Sequence, residues 1–190
     1  MKKLAMGGLF LALMAPWCHA QTLTWVSDPA GSQVDFEISE LLSKVHGHFS
    51  NIKATLEHDA VDVTRSSVQV TIDVGTVDTG DASRNAEMKG ADYFDIAQFP
   101  TATFISTSVT KSGDQVSISG NLTLHGVTKP VVLKVQHSNG PVTNQQNQVH
   151  RTFSATTTIN RTDFGIAPKM PSAMLGDDVD LTIQLDVIKQ

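Results

Sequence analysis

The residues able to do chemistry in this 190-residue chain are few, and their spacing decides what they can do. His46 and His48 stand two apart, on one face of any strand that contains them. Such a pair can approach one metal ion, but no carboxylate or third histidine lies at ligand spacing beside it, so no metal site is expected. His58 lies apart from them. His125, in Leu124-His125-Gly126-Val127, offers two roles. It is a turn residue bonding backbone, or the base of a hydrolase or isomerase working with an aspartate. Ser117 and Ser119 lack the paired glycines of a nucleophile elbow, which favours the turn role. Asp92 with Asp95, and Asp177, Asp178 and Asp180, are spaced as turn caps and solvated corners rather than as an acid–base pair. Arg84 and Arg161 each adjoin an apolar stretch. Either can pin a connector through an aspartate or meet the polar head of a ligand at a cavity entrance.

Period-two alternation dominates the elements that must position these groups. In Val116–Val135, Val116, Ile118, Leu122 and Leu124 share one parity, and after His125-Gly126 the residues Val131, Leu133 and Val135 resume it. That pattern is a hairpin, with Pro130 near the start of the return strand. Gly120 sits on the apolar face without filling it, as a close backbone approach requires. Val34, Phe36 and Ile38 alternate in Ser32–Ser39. A helical turn is expected over Glu40–Lys44. Val45, Gly47 and Phe49, then Ile52, Ala54 and Leu56, alternate with a slip near Asn51 that predicts a bend. Ser67–Val77 carries Val68, Val70, Ile72 and Val74 on one side, and Thr101–Thr110 includes Phe104. Phe153, Ala155, Thr157 and Ile159 alternate, as do Val179, Leu181, Ile183, Leu185 and Val187. Asp81–Lys89, which contains Met88, reads as one short helix with Asp81 as N-cap. Ser138–Gln148 is polar and aperiodic, the signature of a mobile surface loop.

About eight strands with one helix fit an all-β closed antiparallel barrel. An open sandwich is the alternative, but closure removes the edges of long apolar strands. Phe94, Phe99, Phe164, Ile166, Met170, Met174 and Leu175 fall on connectors, where they plug a barrel end or line its entrance.

Residues 1–20 read as a signal peptide: Lys2 and Lys3, an apolar run, and a small residue at Ala20 before a cut at Gln21. Residues 21–190 then form one domain destined for the periplasm. The single cysteine, Cys18, falls in the leader, so no disulfide is expected. Removing the two leader lysines takes the formal charge from −5 to −7 (−5 − 2), which disfavours nucleic acid.

Several stretches together resemble the YceI-like family of exported bacterial proteins: Asp28-Pro29-Ala30, Gly80–Arg84, Ala91–Asp95, Phe99-Pro100-Thr101, Leu122–Pro130 and Ile159–Gly165. The resemblance runs in order through residues 21–190. It implies a lipocalin-like barrel enclosing an apolar tunnel for a polyisoprenoid lipid such as a quinone, with no other cofactor and no catalytic residues. On the strands the tunnel would be walled by Phe36, Ile38, Phe49, Val70, Ile72, Phe104, Leu122, Leu124, Phe153, Ala155, Ile159, Leu181 and Ile183. On the helix and connectors it would take Met88, Phe94, Phe99, Phe164, Met170, Met174 and Leu175, with Arg84 and Arg161 as polar entrance groups. The implied role is to sequester or transfer the lipid, with transient contact to a membrane or membrane protein; a homodimer stays open. A stress-related module without ligand exchange is the remaining alternative. The chain departs from the family at Gly31 and at Glu87-Met88, where the family often carries histidines, and at Ser39–Leu42, which lacks its usual basic residue. These departures bear on the head group rather than on the barrel.

Overall fold

The structure, a computed structural model, describes residues 22–138 and 140–190; the expected leader lies outside them. The strands are β1 (Thr22–Ser27), β2 (Gln33–Glu40), β3 (Ser43–Phe49), β4 (Ile52–Asp59), β5 (Ser67–Asp73), β6 (Thr101–Ser112), β7 (Gln115–Leu124), β8 (Val127–Ser138), β9 (Val142–Thr143), β10 (Val149–Asn160) and β11 (Leu175–Lys189). Helix α1 spans Ala82–Met88.

All pairings are antiparallel, and the sheet closes through β10 against β11. β1 and β2 take successive lengths of one edge of β11, at Val187–Lys189 and Leu175–Gln184. They therefore form a single interrupted stave, broken where Asp28 accepts from the Ala30 and Gly31 N–H groups. β3 and β4 form another, bent at Asn51, whose φ is +56°. With β5, β6, β7, β8, β10 and β11, eight staves make the closed barrel. Closure leaves few unpaired edges on strands this apolar.

β3 does not continue onto β5. Its far edge meets the segment that carries α1, through the His48–Asp78 bridge. The Asp81 carboxylate caps α1 by accepting from the Ser83 and Arg84 N–H groups, and Gly90 follows the last turn. Phe94 from the following connector packs edge-on against Phe49 of β3 at 5.5 Å. That insertion covers the side of the barrel where a ladder is missing.

Several local features differ from the sequence expectations, each for an identifiable reason. Glu40–Lys44 is no helical turn. β2 and β3 pair through Glu40 and Ser43, leaving Leu41 (φ +48°) and Leu42 at an exposed hairpin tip. β5 ends at Asp73, because its carboxylate accepts from the Gly75 N–H and Val74–Thr76 closes a 3-10 turn. Residues within 138–148 include β9, paired to Val149–His150, and Asn144 Oδ1 accepts from the Gln146 and Gln148 N–H groups. The β7–β8 connection is the two-residue turn His125-Gly126, both at positive φ (+50° and +73°), the geometry that matches strand twist. Pro130 then lies inside β8, where the ladder to β10 has not begun; that ladder starts at Lys134, so its missing N–H costs no pairing.

Candidate functional site

Inward side chains of the staves enclose two apolar chambers, one above the other. The first, about 160 Å³, lies at the α1 end, between β2, β3, the α1 connector and the start of β11. The second, about 480 Å³, lies toward the β4–β5 connection. Val34, Ile72, Leu122 and Leu181 wall both, so the two chambers adjoin at a shared girdle of side chains, the waist of the barrel interior. Alternation explains why the interior is hollow as well as apolar. Ala102, Gly120 and Ala155 stand on inward parities where a large side chain would fill the barrel, and the rings of Phe36 and Phe104 lie against the wall. A Cβ on Gly120 would fall 2.3 Å from Phe104 Cζ and 2.6 Å from the Ile105 carbonyl oxygen.

Most of the wall expected from the sequence is where the alternation places it. Phe36, Ile38, Phe49, Met88, Phe94, Leu124, Ile159 and Leu175 face the smaller chamber. Val70, Phe104, Phe153, Ala155 and Ile183 face the larger. Four connector residues are corrections, since they wall neither chamber. Phe99 packs edge-on against the His125 ring, 4.9 Å between centroids, and covers Gly126. Phe164 is buried in the 3-10 turn Arg161–Phe164, on the side of an outer groove between β8 and β10. Met170 packs partly buried against the hydrophobic core while its carbonyl accepts from Arg161, and Met174 is 48% exposed, its carbonyl accepting from the Leu41 N–H. These side chains serve the loops that close the barrel end.

The two arginines have different situations. Arg161 is 2% exposed, and its guanidinium donates to the carbonyls of Ile166, Ala167, Met170, Leu175 and Gly176 and to the Asp177 carboxylate, at 2.5–3.0 Å. It stitches the loop before β11 and touches the chamber wall as part of that knot. Arg84 faces the chamber from α1, and its nearest acid, Glu40, is a loose 3.5 Å away. Glu87 and Tyr93 complete this rim. The Tyr93 hydroxyl is held above its ordinary pKa by burial, then by the Glu87 carboxylate beside it.

Sequence reading passed over a second polar group. Arg151 and His58 lie on the inward parity of β10 and β4, continuing Phe153–Ala155 and Ala54–Leu56 outward to the wide end of the larger chamber. Arg151 Nη1 donates to His58 Nε2 at 2.9 Å, and the guanidinium lies 5.2 Å over the Phe153 ring. Burial, with Arg151 as the next cause, holds the His58 imidazole below its ordinary pKa, so it accepts as a neutral ring. Their parity was the available signal, masked because charged residues are conventionally placed outward.

The other candidates are engaged in structure. His125 Nδ1 donates to the Phe164 carbonyl at 3.0 Å, the turn role expected of it. His46 contacts Glu37 at 3.3 Å on the surface. Asp28, His150 and Asp186 form a cluster that spacing did not suggest, with ligand atoms within 4.8 Å. His150 already has Asp186 at 3.2 Å from Nδ1, while Nε2 accepts from Asn144 at 2.9 Å, so hydrogen bonding accounts for its orientation.

Comparison with known proteins agrees with this architecture. The family model described as "YceI-like domain" matches residues 25–187. Protein YceI of Salmonella agona (strain SL483) is 34% identical over 193 residues, covering 100% of each chain. A UPF0312 protein of Pseudomonas syringae pv. tomato is 34% identical over 187 residues, covering 96% of each. Among solved structures, Burkholderia cenocepacia BcnA superposes with a TM-score of 0.74 at 26% identity, over 84% of this chain and 98% of that one. A polyisoprenoid binding domain from Saccharophagus degradans, implicated in plant cell wall breakdown, has a TM-score of 0.61 over 90% of this chain and 100% of that one; at 18% identity it supports the fold alone.

Proposed function

The chain belongs to the YceI-like family, and from that premise we propose that it is a periplasmic protein that sequesters or transfers a polyisoprenoid lipid, such as an isoprenoid quinone, inside the barrel. The observation that carries this reading is the pair of apolar chambers sharing a waist, together about 160 and 480 Å³, in the place of a filled barrel core. An apolar space divided into two adjoining chambers suits a flexible chain with small methyl branches better than one compact ligand. Each methylene withdrawn from water contributes about 0.8 kcal/mol. A bilayer offers the same lipid an equally apolar surrounding, so the net preference for the protein is small. That balance suits a carrier, which must release what it holds.

Binding rather than turnover is also favoured by the engaged state of His125, whose described hydrogen bond goes to a backbone carbonyl and not to an aspartate. The test is organic extraction of protein purified from the periplasm, with mass spectrometry of the extract. A stoichiometric isoprenoid is expected. Protein that emerges without lipid, and that takes up neither an isoprenoid quinone nor an isoprenoid alcohol after refolding, would rule the reading out.

A further inference from the structure

Three large apolar side chains stand in water around the mouth of the smaller chamber. Glu40 and Leu175 line that chamber and pair across β2 and β11. The next residues outward are Leu41 and Leu42 on one side and Met174 on the other, 68%, 104% and 48% exposed. The Leu41 N–H donates to the Met174 carbonyl at 3.0 Å, which ties the two sides into one rim. The chamber opens beside this rim, because the Arg84 and Glu40 side chains that wall it are themselves 39% and 40% exposed. Nothing in the β2–β3 turn calls for leucine. Leu41 has φ +48°, a left-handed angle that a hairpin turn fills most easily with glycine or asparagine. Leu42 is fully exposed, so its side chain adds no burial to the fold.

We propose that Leu41 and Leu42, with Met174 beside them, dip into the surface of a lipid bilayer and dock the mouth of the smaller chamber against it, so that lipid passes between bilayer and barrel at this end. The passage rests on the tunnel reading above; the docking does not. Shape selects a bilayer over a protein. A stable protein interface needs on the order of 800 Å² of fitted surface per partner, and a two-residue projection offers far less. Acyl chains, by contrast, close around any convex apolar tip. Charge selects the kind of bilayer. The chain has a formal net charge of −5, and two basic groups beside the tip, Lys44 and Arg84, already face Glu37 and Glu40. Anionic head groups therefore exert no net pull, and the docking is apolar and insensitive to salt.

The experiment floats delipidated protein with phosphatidylcholine vesicles, and follows loading of geranylgeraniol from such vesicles and from a cyclodextrin complex. Wild type should float with the vesicles to the same extent at low and high salt. Leu42→Ser should weaken the partitioning about threefold, and Leu41→Ser combined with it about tenfold, as apolar side chains are lost from the bilayer surface. Both variants should slow loading from vesicles by similar factors and leave loading from cyclodextrin unchanged, since neither leucine walls a chamber. Ile105→Ser, which removes a half-exposed side chain on the outer face of β6, should change neither. Because Leu42 is fully exposed, Leu42→Ser keeps the fold and decides even if the double variant does not fold. Wild type that stays off the vesicles, binding that survives both leucine substitutions, or binding only to anionic vesicles at low salt would overturn the docking. So would a dimer in sedimentation that Leu42→Ser breaks, since the tip would then belong to a second copy. Loading from neither source, with flotation intact, would overturn the tunnel reading and the passage of lipid through this mouth, while the docking would stand.

Discussion

At the scale of single residues, the decisive property is whether a side chain fills space or leaves it. Ala155 is 9% exposed, faces the larger chamber, and has Phe153 and Thr157 as its neighbours on the same parity. Ala155→Phe should abolish lipid retention while changing the melting temperature of delipidated protein little, because the ring enters space otherwise held by ligand. In a packed core the same change would cost about 1–3 kcal/mol. A variant that is strongly destabilised, or still carries a full lipid load, contradicts the hollow interior at that point. Arg161 is the opposite case, a charge wholly used in construction. Arg161→Met would strip five carbonyls and Asp177 of their donor, and a loss of about 3–5 kcal/mol is expected in denaturant unfolding. A loss under about 1 kcal/mol would mean that water replaces the guanidinium there without penalty.

At the scale of elements, the β6–β7–β8 sheet depends on two glycines for different reasons. Gly126 completes the two-residue turn and lies beneath the Phe99 ring, where a Cβ would come within 2.6 Å. Gly120 lets Phe104 lie flat across β7, and the Ile105 carbonyl next to it is backbone that cannot step aside. Gly120→Ala should therefore cost about 1–3 kcal/mol, read as a lower midpoint with an unchanged denaturant slope. An unchanged midpoint would show that the ring swings away freely. The α1 connector is the other critical element, since it stands where β3 has no strand neighbour on its outer edge. Phe94 against Phe49 is the contact that seals it.

At the scale of the whole molecule, acid should loosen the fold in two stages. His58 is held below its ordinary value by burial first and by Arg151 second. Its unfolded form therefore takes up a proton before its folded form does. Stability from this source is complete above about pH 6.5 and falls as the pH drops toward the folded pKa. Asp59, Asp62, Asp78 and Asp81 are all held below the usual carboxylate range, chiefly by hydrogen bonds from the Asp62 N–H, the Thr64 hydroxyl, the Gly80 N–H and the Arg84 N–H respectively. Their contribution is present above about pH 4 and is lost below it. Thermal unfolding from neutral to acidic pH should show both declines, and His58→Gln should flatten the first. A melting temperature that stays level between neutrality and pH 5, in wild type, would contradict the assignment of His58 as a buried neutral ring.

The alternation in the sequence was enough to place most of the strands and their inward faces, because burial imposes a period of two wherever one face of a sheet is dry; closure was favoured over an open sandwich only by the cost of exposed edges. Val34-Phe36-Ile38 and Val179-Leu181-Ile183 pair in register as their patterns require. The cap at Asp81, the bend at Asn51 and the His125-Gly126 turn were legible for the same kind of reason, a local bond or backbone angle that only certain residues supply. Whether the dry interior is filled was not legible. An inward Leu122 has the same pattern whether it meets another side chain or a gap, and only the closed ring sets the distance across. Of the two roles open to Arg161, the structure shows the pinning one: it pairs with Asp177 and is buried among carbonyls brought together by the fold of its loop, while Arg151, which the sequence did not single out, lies on the inner wall. His58 and Arg151 are 93 positions apart and meet only because β4 and β10 belong to one closed barrel. Pairings across the interior carry no local signal, and the tertiary structure alone decides them.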